Sequence, residues 1–192
     1  MATRLAHKYS IDPTFAKTVL DEADVVLGGV RGALLTIKDG DATANAGVDR
    51  KNSPSGSYVL WPRHPDKAAR TIRNSIVKRF GKNIGVIIVD SRVTPMRLGT
   101  IGFAIGSSGF RVVEDARGKL DLHRRRIEIT FQAIADGLAA TAQLVMGEAS
   151  ERTPFALIRG APARFEMGNG IESAKLAREK CVYMSQVHRS HT

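Results

Sequence analysis

The stretch "IGVIIVDSRVTPMRLGTIGFAIGSSGF", Ile84 to Phe110, decides how the chain is read. It opens on a continuous apolar run of strand length, which predicts a strand buried on both faces. That run ends on an acid, Asp90. Strand-like pieces then alternate with Gly99, Gly102, Gly106 and Gly109. The glycines are followed by no "GKS" or "GKT" and do not match the dinucleotide fingerprint, so they read as close-packed backbone in a sheet.

Working outward, "PDKAARTIRNSIVKRFG" predicts a helix from Pro65 with Gly81 as its cap and Ala69, Ile72, Ile76 and Phe80 on the buried face. "SYVLWP" before it reads as a strand. Near the start, "SIDPTFAKTVLDEAD" predicts a helix capped by Asp12, with Pro13 first and Phe15, Val19 and Ala23 on one face. "GGVRG" reads as a break, "ALLTIK" as a strand, "DGD" as its turn and "ATANA" as a short returning strand. Downstream, "DARGKLDLHRRR" is a polar loop, "ITFQAIADGLAATAQLVMGEA" the expected longest helix and "FALIRG" a last core strand. The expected organisation is one domain over residues 1–162 and a loosely attached polar tail over 163–192. Strands and helices mix without regular alternation, which predicts an α+β fold, with mixed sheets and packed helices, over a doubly wound one.

Composition narrows the function. The chain has 192 residues, 43% of them apolar, so it can bury a core. One cysteine, Cys181, permits no internal disulfide, and no Cys/His spacing suits zinc. With no apolar run of about 18 residues and no signal core in "MATRLAHKYS", the expectation is a soluble, cytoplasmic protein without membrane contact. The formal charge of +10 favours an anionic partner. Aromatic residues are only 6% and are not interleaved with basic ones, which argues against a stacking platform for nucleic acid. A phosphorylated small molecule needs the same positive field.

The loop "ANAGVDRKNSPSG", Ala44 to Gly56, is longer than turn chemistry requires. It carries Asp49 just after an apolar strand, as Asp90 follows another. Carboxylates at strand ends can hold a hard cation such as magnesium or manganese; an Asx-turn at Asp49 and a capping role for Asp90 are the default alternative. Arg92 and Arg97, flanking Pro95, are the better anion-binding candidates. "HRRR", His123 to Arg126, reads as a solvated face or an anion clamp. His64 lies between prolines and reads as structural, while His7, His188 and His191 sit near the termini. No nucleophile motif occurs, so no catalytic residue is assigned.

Six motifs in order carry a resemblance: "TANAGVDRKN", "VLWPRHPDKAARTIR", "GVIIVDSRVTPMRLGTIGFAIGSSGF", "DARGKLDLHRRRIEIT", "AIADGLAATAQLVMGEASERTP" and "LIRGAP". From about Leu5 to Pro162 the chain resembles the coenzyme F420-0:L-glutamate ligase (gamma-glutamyl ligase) family. The resemblance implies an intertwined homodimer that uses GTP and Mn²⁺ or Mg²⁺ to join L-glutamate to a deazaflavin, F420-0, through an acyl phosphate. It implies metal roles for Asp49 and Asp90, an oxygen from Ser91 to a second metal, a metal role for Glu148 where some members carry glutamine, and a nucleotide contact for Asn52. Two departures stand out. Arg124 replaces a glycine in "DLHRRRIEIT", and nothing in "MATRLAHKYS" matches a preceding segment with serine and lysine contacts to the nucleotide. The expectations are therefore a ligase, completed by a separate chain or a rebuilt nucleotide site, or a non-catalytic relative binding nucleotide, metal or deazaflavin. A nucleic-acid-binding protein would have no need of the Asp49 and Asp90 motifs.

Overall fold

A computed structural model describes residues 1–168 and 170–187; His188 and His191 lie outside the described residues. The fold is α+β, with helices and small antiparallel sheets, and the chain divides into two compact units.

The first unit comprises Met1–Trp61, Arg92–Thr100 and the chain from Lys175. It holds α1 (Ala2–Tyr9), α2 (Pro13–Glu22) and an antiparallel sheet of β1 (Val25–Val30), β2 (Ala33–Lys38) and β3 (Asp41–Ala44), with β2 in the middle. The Asp12 carboxylate caps α2 by accepting a hydrogen bond from the Phe15 N–H at 2.8 Å. Phe15 and Val19 then pack with Leu5, Leu34, Ala46 and Val48, and Ala23 joins the edge of this cluster. "GGVRG" is not a simple break: Gly28 to Val30 belong to β1, which is irregular between Val26 and Gly28. Gly29 is required there, because a Cβ would lie 2.5 Å from the Ala33 carbonyl oxygen across the ladder.

The second unit comprises Pro62–Ser91 and Ile101–Ala174. Its elements are α3 (Pro65–Phe80), β4 (Val86–Val93), β5 (Thr100–Ser108), β6 (Val113–Asp115), β7 (Phe131–Ala133) and α4 (Ile134–Met146). The β4 and β5 strands reach beyond this unit at their ends; they pair with each other, and β6 pairs with β7. The core gathers Ala104, Phe110, Val112, Ile134, Ala135, Ala139 and Ile171.

Several expectations are corrected. β4 is half-buried from Val86 to Arg92 and exposed at Val93 instead of buried on both faces, since β5 is its only ladder partner in the described sheet. On α3 only Ala69 is fully buried, whereas Ile72 is exposed and Phe80 is 60% exposed. α3, with 16 residues, is longer than α4, with 13, because Phe131–Ala133 pairs with β6 before the helix starts. "SYVLWP" contributes a single bridge, Val59 to Asp49, and "FALIRG" forms no strand, with Phe155 80% exposed. The segment after Ala163 lacks periodicity but is held by side chains. Arg111 forms an ion pair with Glu166 at 2.8 Å, and the Ile171 N–H donates to the Asp66 carboxylate at 3.0 Å. Ile171 itself is buried in the core.

The glycines of β5 act as the sequence suggests, as close-packing positions. A Cβ on Gly102 would lie 2.5 Å from the Ala139 carbonyl oxygen of α4, and one on Gly106 would lie 2.5 Å from the Pro65 backbone of α3. Two helices therefore approach one strand where side chains are missing. Gly102→Ala is expected to lower stability by about 1–3 kcal/mol, measured by urea denaturation; an unchanged midpoint would show that α4 can back away at no cost.

Candidate functional site

In the first unit the long loop is shaped by three consecutive residues with left-handed backbone: Asn45 (φ 52°), Ala46 (φ 53°) and Gly47 (φ 68°). Asparagine and glycine tolerate this region; alanine does so at a cost of roughly 1–2 kcal/mol. The surroundings offset that cost. The Asn45 side-chain oxygen accepts from the Leu34 N–H, and the Ala46 N–H donates to Thr36 Oγ1, each at 2.8 Å. Thr36 Oγ1 in turn donates to the Thr43 carbonyl. Trp61 closes the bend: a Cβ on Gly47 would lie 2.1 Å from its indole nitrogen.

The bend delivers Val48 into the core and Asp49 to a half-exposed position, tied by two backbone hydrogen bonds with Val59 at 3.0 and 2.9 Å. Asp49 does form the Asx-turn, its Oδ1 accepting from the Lys51 N–H at 2.9 Å. Its Oδ2 lies 3.7 Å from the Lys51 ammonium. Turn and ligand roles are compatible, since a carboxylate has about four lone-pair sites. Asn52 follows at the exposed tip, also left-handed at φ 55°.

The second unit brings together residues far apart in sequence. Ser91 Oγ, on β4, lies 3.3 Å from Glu148 Oε2, just beyond α4. Glu148 Oε1 accepts from the Gln143 side-chain amide. Gly147, at φ 77°, makes the turn that carries Glu148 back beside the helix. The Asp90 carboxylate accepts from the Ser91 N–H at 2.7 Å. Successive side chains of a strand point to opposite faces, so Asp90 and the Ser91–Glu148 pair offer oxygen in two directions. All three residues are half-buried. Hard oxygen donors in this number fit magnesium or manganese better than zinc. Among the described residues, no three His, Cys, Asp or Glu side chains gather as a ready-made metal cluster. Sequence reasoning missed Gln143, a polar side chain in the last turn of α4.

Arg92 is half-buried and Arg97 exposed, both in the first unit. "HRRR" does not converge as a clamp. Arg125 folds back onto Asp121 at 3.0 Å, and Arg126 reaches the Gly118 carbonyl at 3.3 Å. Backbone donation from Arg125 and His123, with the Arg125 guanidinium, holds the Asp121 carboxyl below its ordinary range. Arg124 has φ 60°, so the arginine occupies a left-handed position that suits glycine. Nearby, the Arg117 guanidinium and N–H hold the Asp115 carboxyl at about 2.

The profile of the family described as F420-0:Gamma-glutamyl ligase matches residues 1–160. The chain belongs to this family. Coenzyme F420:L-glutamate ligase of Methanopyrus kandleri is 39% identical over 91% of this chain and 69% of its own length. The enzyme of the same name from Methanocaldococcus jannaschii is 44% identical over 88% of this chain and 68% of its own length. That from Methanococcus maripaludis is 41% identical over 93% and 72%. Membership bears out the resemblance drawn from the six motifs and makes this ligase-family member an enzyme of the amide-bond-forming type.

The bend generates a prediction about Asp49. Gly47→Ala is expected to cost about 2 kcal/mol or more, from the left-handed backbone and the clash with Trp61 together. Thr36→Val, which strips the acceptor from the buried Ala46 N–H, is expected to cost about 1–3 kcal/mol. Chemical denaturation checks both; wild-type stability in either variant would show that the bend is not a held conformation.

Proposed function

We propose that this family member is a GTP- and divalent-metal-dependent ligase that adds L-glutamate to coenzyme F420-0. The names of its relatives support the glutamate and the coenzyme. The observation that carries the metal reading is the meeting of Ser91 and Glu148, 57 residues apart in sequence, at 3.3 Å.

In the proposed reaction, a carboxylate oxygen of F420-0 attacks the γ-phosphorus of GTP, and GDP departs with the bonding electrons. The glutamate amine then attacks the acyl carbon of the resulting acyl phosphate. It loses a proton as the amide forms, and inorganic phosphate leaves. A bound Mn²⁺ or Mg²⁺ supplies neutralisation of the phosphoryl oxygens and aligns the attack. Ser91 and Glu148 would hold one ion, with Gln143 fixing the Glu148 carboxylate in place. Asp49, in the first unit, and Asp90, in the second, are each proposed as metal-binding carboxylates. Asn52 presents its amide to the nucleotide from the loop tip, and Arg92 and Arg97 supply positive charge to the anionic substrates.

A homodimer is the proposed assembly. Met96, Leu98 and Leu122 are fully exposed, and Leu144 and Phe155 are nearly so. Large apolar side chains displayed in such number favour burial against a second copy. The cytoplasm, where nucleotide and coenzyme occur, is the proposed compartment; among the described residues no helix is long and apolar enough to cross a membrane.

Mn²⁺ or Mg²⁺ with GTP, at a hundredfold excess over Kd, is expected to raise the melting temperature by roughly 5 °C or more. Asp49→Ala and Asp90→Ala should each abolish the shift, and light scattering should report a dimer. An undiminished shift in both variants would remove the metal assignment. A retained shift without glutamylated product under saturating substrates would favour the non-catalytic binding relative.

A further inference from the structure

In the second unit, the turn after α4 is held by a residue that the metal reading does not use. Gly147 has φ 77° and ψ −177°, a backbone region that is essentially glycine's alone. Glycine permits the turn but also leaves the chain free to leave it. The backbone by itself therefore does not keep Glu148, the next residue, in one direction. The Glu151 side chain supplies the restraint. Its Oε2 accepts from the Ala149 N–H at 2.7 Å. Its carboxyl group fills the space where a side chain on Gly147 would begin: a Cβ there would lie 2.2 Å from Glu151 Cδ and 2.6 Å from its Oε1. One carboxylate thus grips the residues on both sides of Glu148. Glu151 is exposed, and folding back costs a long side chain rotamer freedom. Two separate contacts with one turn offset that cost.

The side chain of Glu148 is held at its far end. Oε1 accepts from the Gln143 amide, and Oε2 lies 3.3 Å from Ser91 Oγ. Both contacts need the Glu148 backbone to stay where the turn puts it. We propose that Glu151 is a positioning residue: it braces the Gly147–Ala149 turn so that the Glu148 carboxylate faces Ser91 and takes a divalent cation with it. Glu151 does this through an acceptor oxygen and its bulk, with Oε2 on the Ala149 N–H and the rest of the carboxyl group against Gly147. It acts on the cation only through Glu148. The proposal rests on the metal reading and goes beyond it by naming the group that sets the direction of one ligand. Groups that orient a metal-bound carboxylate change affinity by roughly 10–100-fold when removed.

The experiment compares the full chain with Glu151→Ala and Glu151→Gln, because glutamine keeps the acceptor oxygen and the bulk but not the charge. In metal-free protein, NMR follows the Gln143 side-chain amide, which reports its bond to Glu148, with Glu148→Ala as the reference for a broken bond. Electron paramagnetic resonance then measures Mn²⁺ affinity. In Glu151→Ala the Gln143 resonances are expected to move toward the reference, and Mn²⁺ binding to weaken about tenfold or more. Glu151→Gln is expected to restore both. The metal-free melting temperature should stay near wild type in both variants, since Glu151 lies outside the core. Unmoved Gln143 resonances in Glu151→Ala would overturn the brace. Equal loss of Mn²⁺ affinity in both variants would overturn it as well, because Glu151 would then supply charge and not position. Failure of the metal reading shows separately: a wild type that binds no Mn²⁺ removes the cation site, while the metal-free resonances still judge the brace.

Discussion

The bend at Asn45–Gly47 is the constraint on which the first unit depends. Three residues in a row adopt a backbone that ordinary side chains avoid, and one of them is a buried alanine. The conformation persists because each member is held by a different interaction: a side-chain amide on β2, a buried threonine hydroxyl, and an indole pressed where a methyl group would stand. Such strain is over-determined by its surroundings, as is common where a site must be kept in one geometry. Reversing the chain so abruptly lets Val48 enter the core while Asp49 and Arg50, one and two residues later, stay at the surface. Packing and chemistry are served by adjacent residues.

The second unit solves a similar problem with missing side chains. Gly102 and Gly106 let α4 and the start of α3 contact β5 closely. The close seat of α4 anchors its C-terminal turn, and from there Gln143 holds Glu148, whose carboxylate accepts from Ser91 on β4. Asp66 ties the same region together, accepting from the N–H groups of both Ser107 and Ile171. A glycine-spaced strand that binds no phosphate by pattern thereby positions the oxygen donors of the second unit.

Much of this was legible in residues that act locally. Asp12 and Pro13 start α2, Gly81 ends α3, and the period of Phe15 and Val19 marks a buried face, because caps and helical faces are set by neighbours within one turn. Readings failed where burial depends on distant partners. The run "IGVIIVD" is apolar enough for a strand covered on both sides, yet it is half-buried with β5 as its ladder partner. Phe80 has helical spacing with Ala69 and Ile76 but is exposed, since spacing defines a face without saying what covers it. Val59 and Leu60 look like a strand and supply one bridge. Ile171 sits in a polar segment and is nevertheless core, which no periodicity signals. Among the candidate site residues, the loop around Asp49 and the acid ending the β4 apolar run were visible from position alone. The contact of Ser91 with Glu148 was not, because it joins residues 57 apart.

The central claim is that the oxygen donors of the second unit form a divalent-cation site. The most direct measurement is a crystal structure of the protein with Mn²⁺, using anomalous scattering to locate the metal. The account predicts a manganese peak within bonding distance of Ser91 Oγ and the Glu148 carboxylate. A well-ordered Ser91–Glu148 contact without any manganese peak at saturating metal would contradict it.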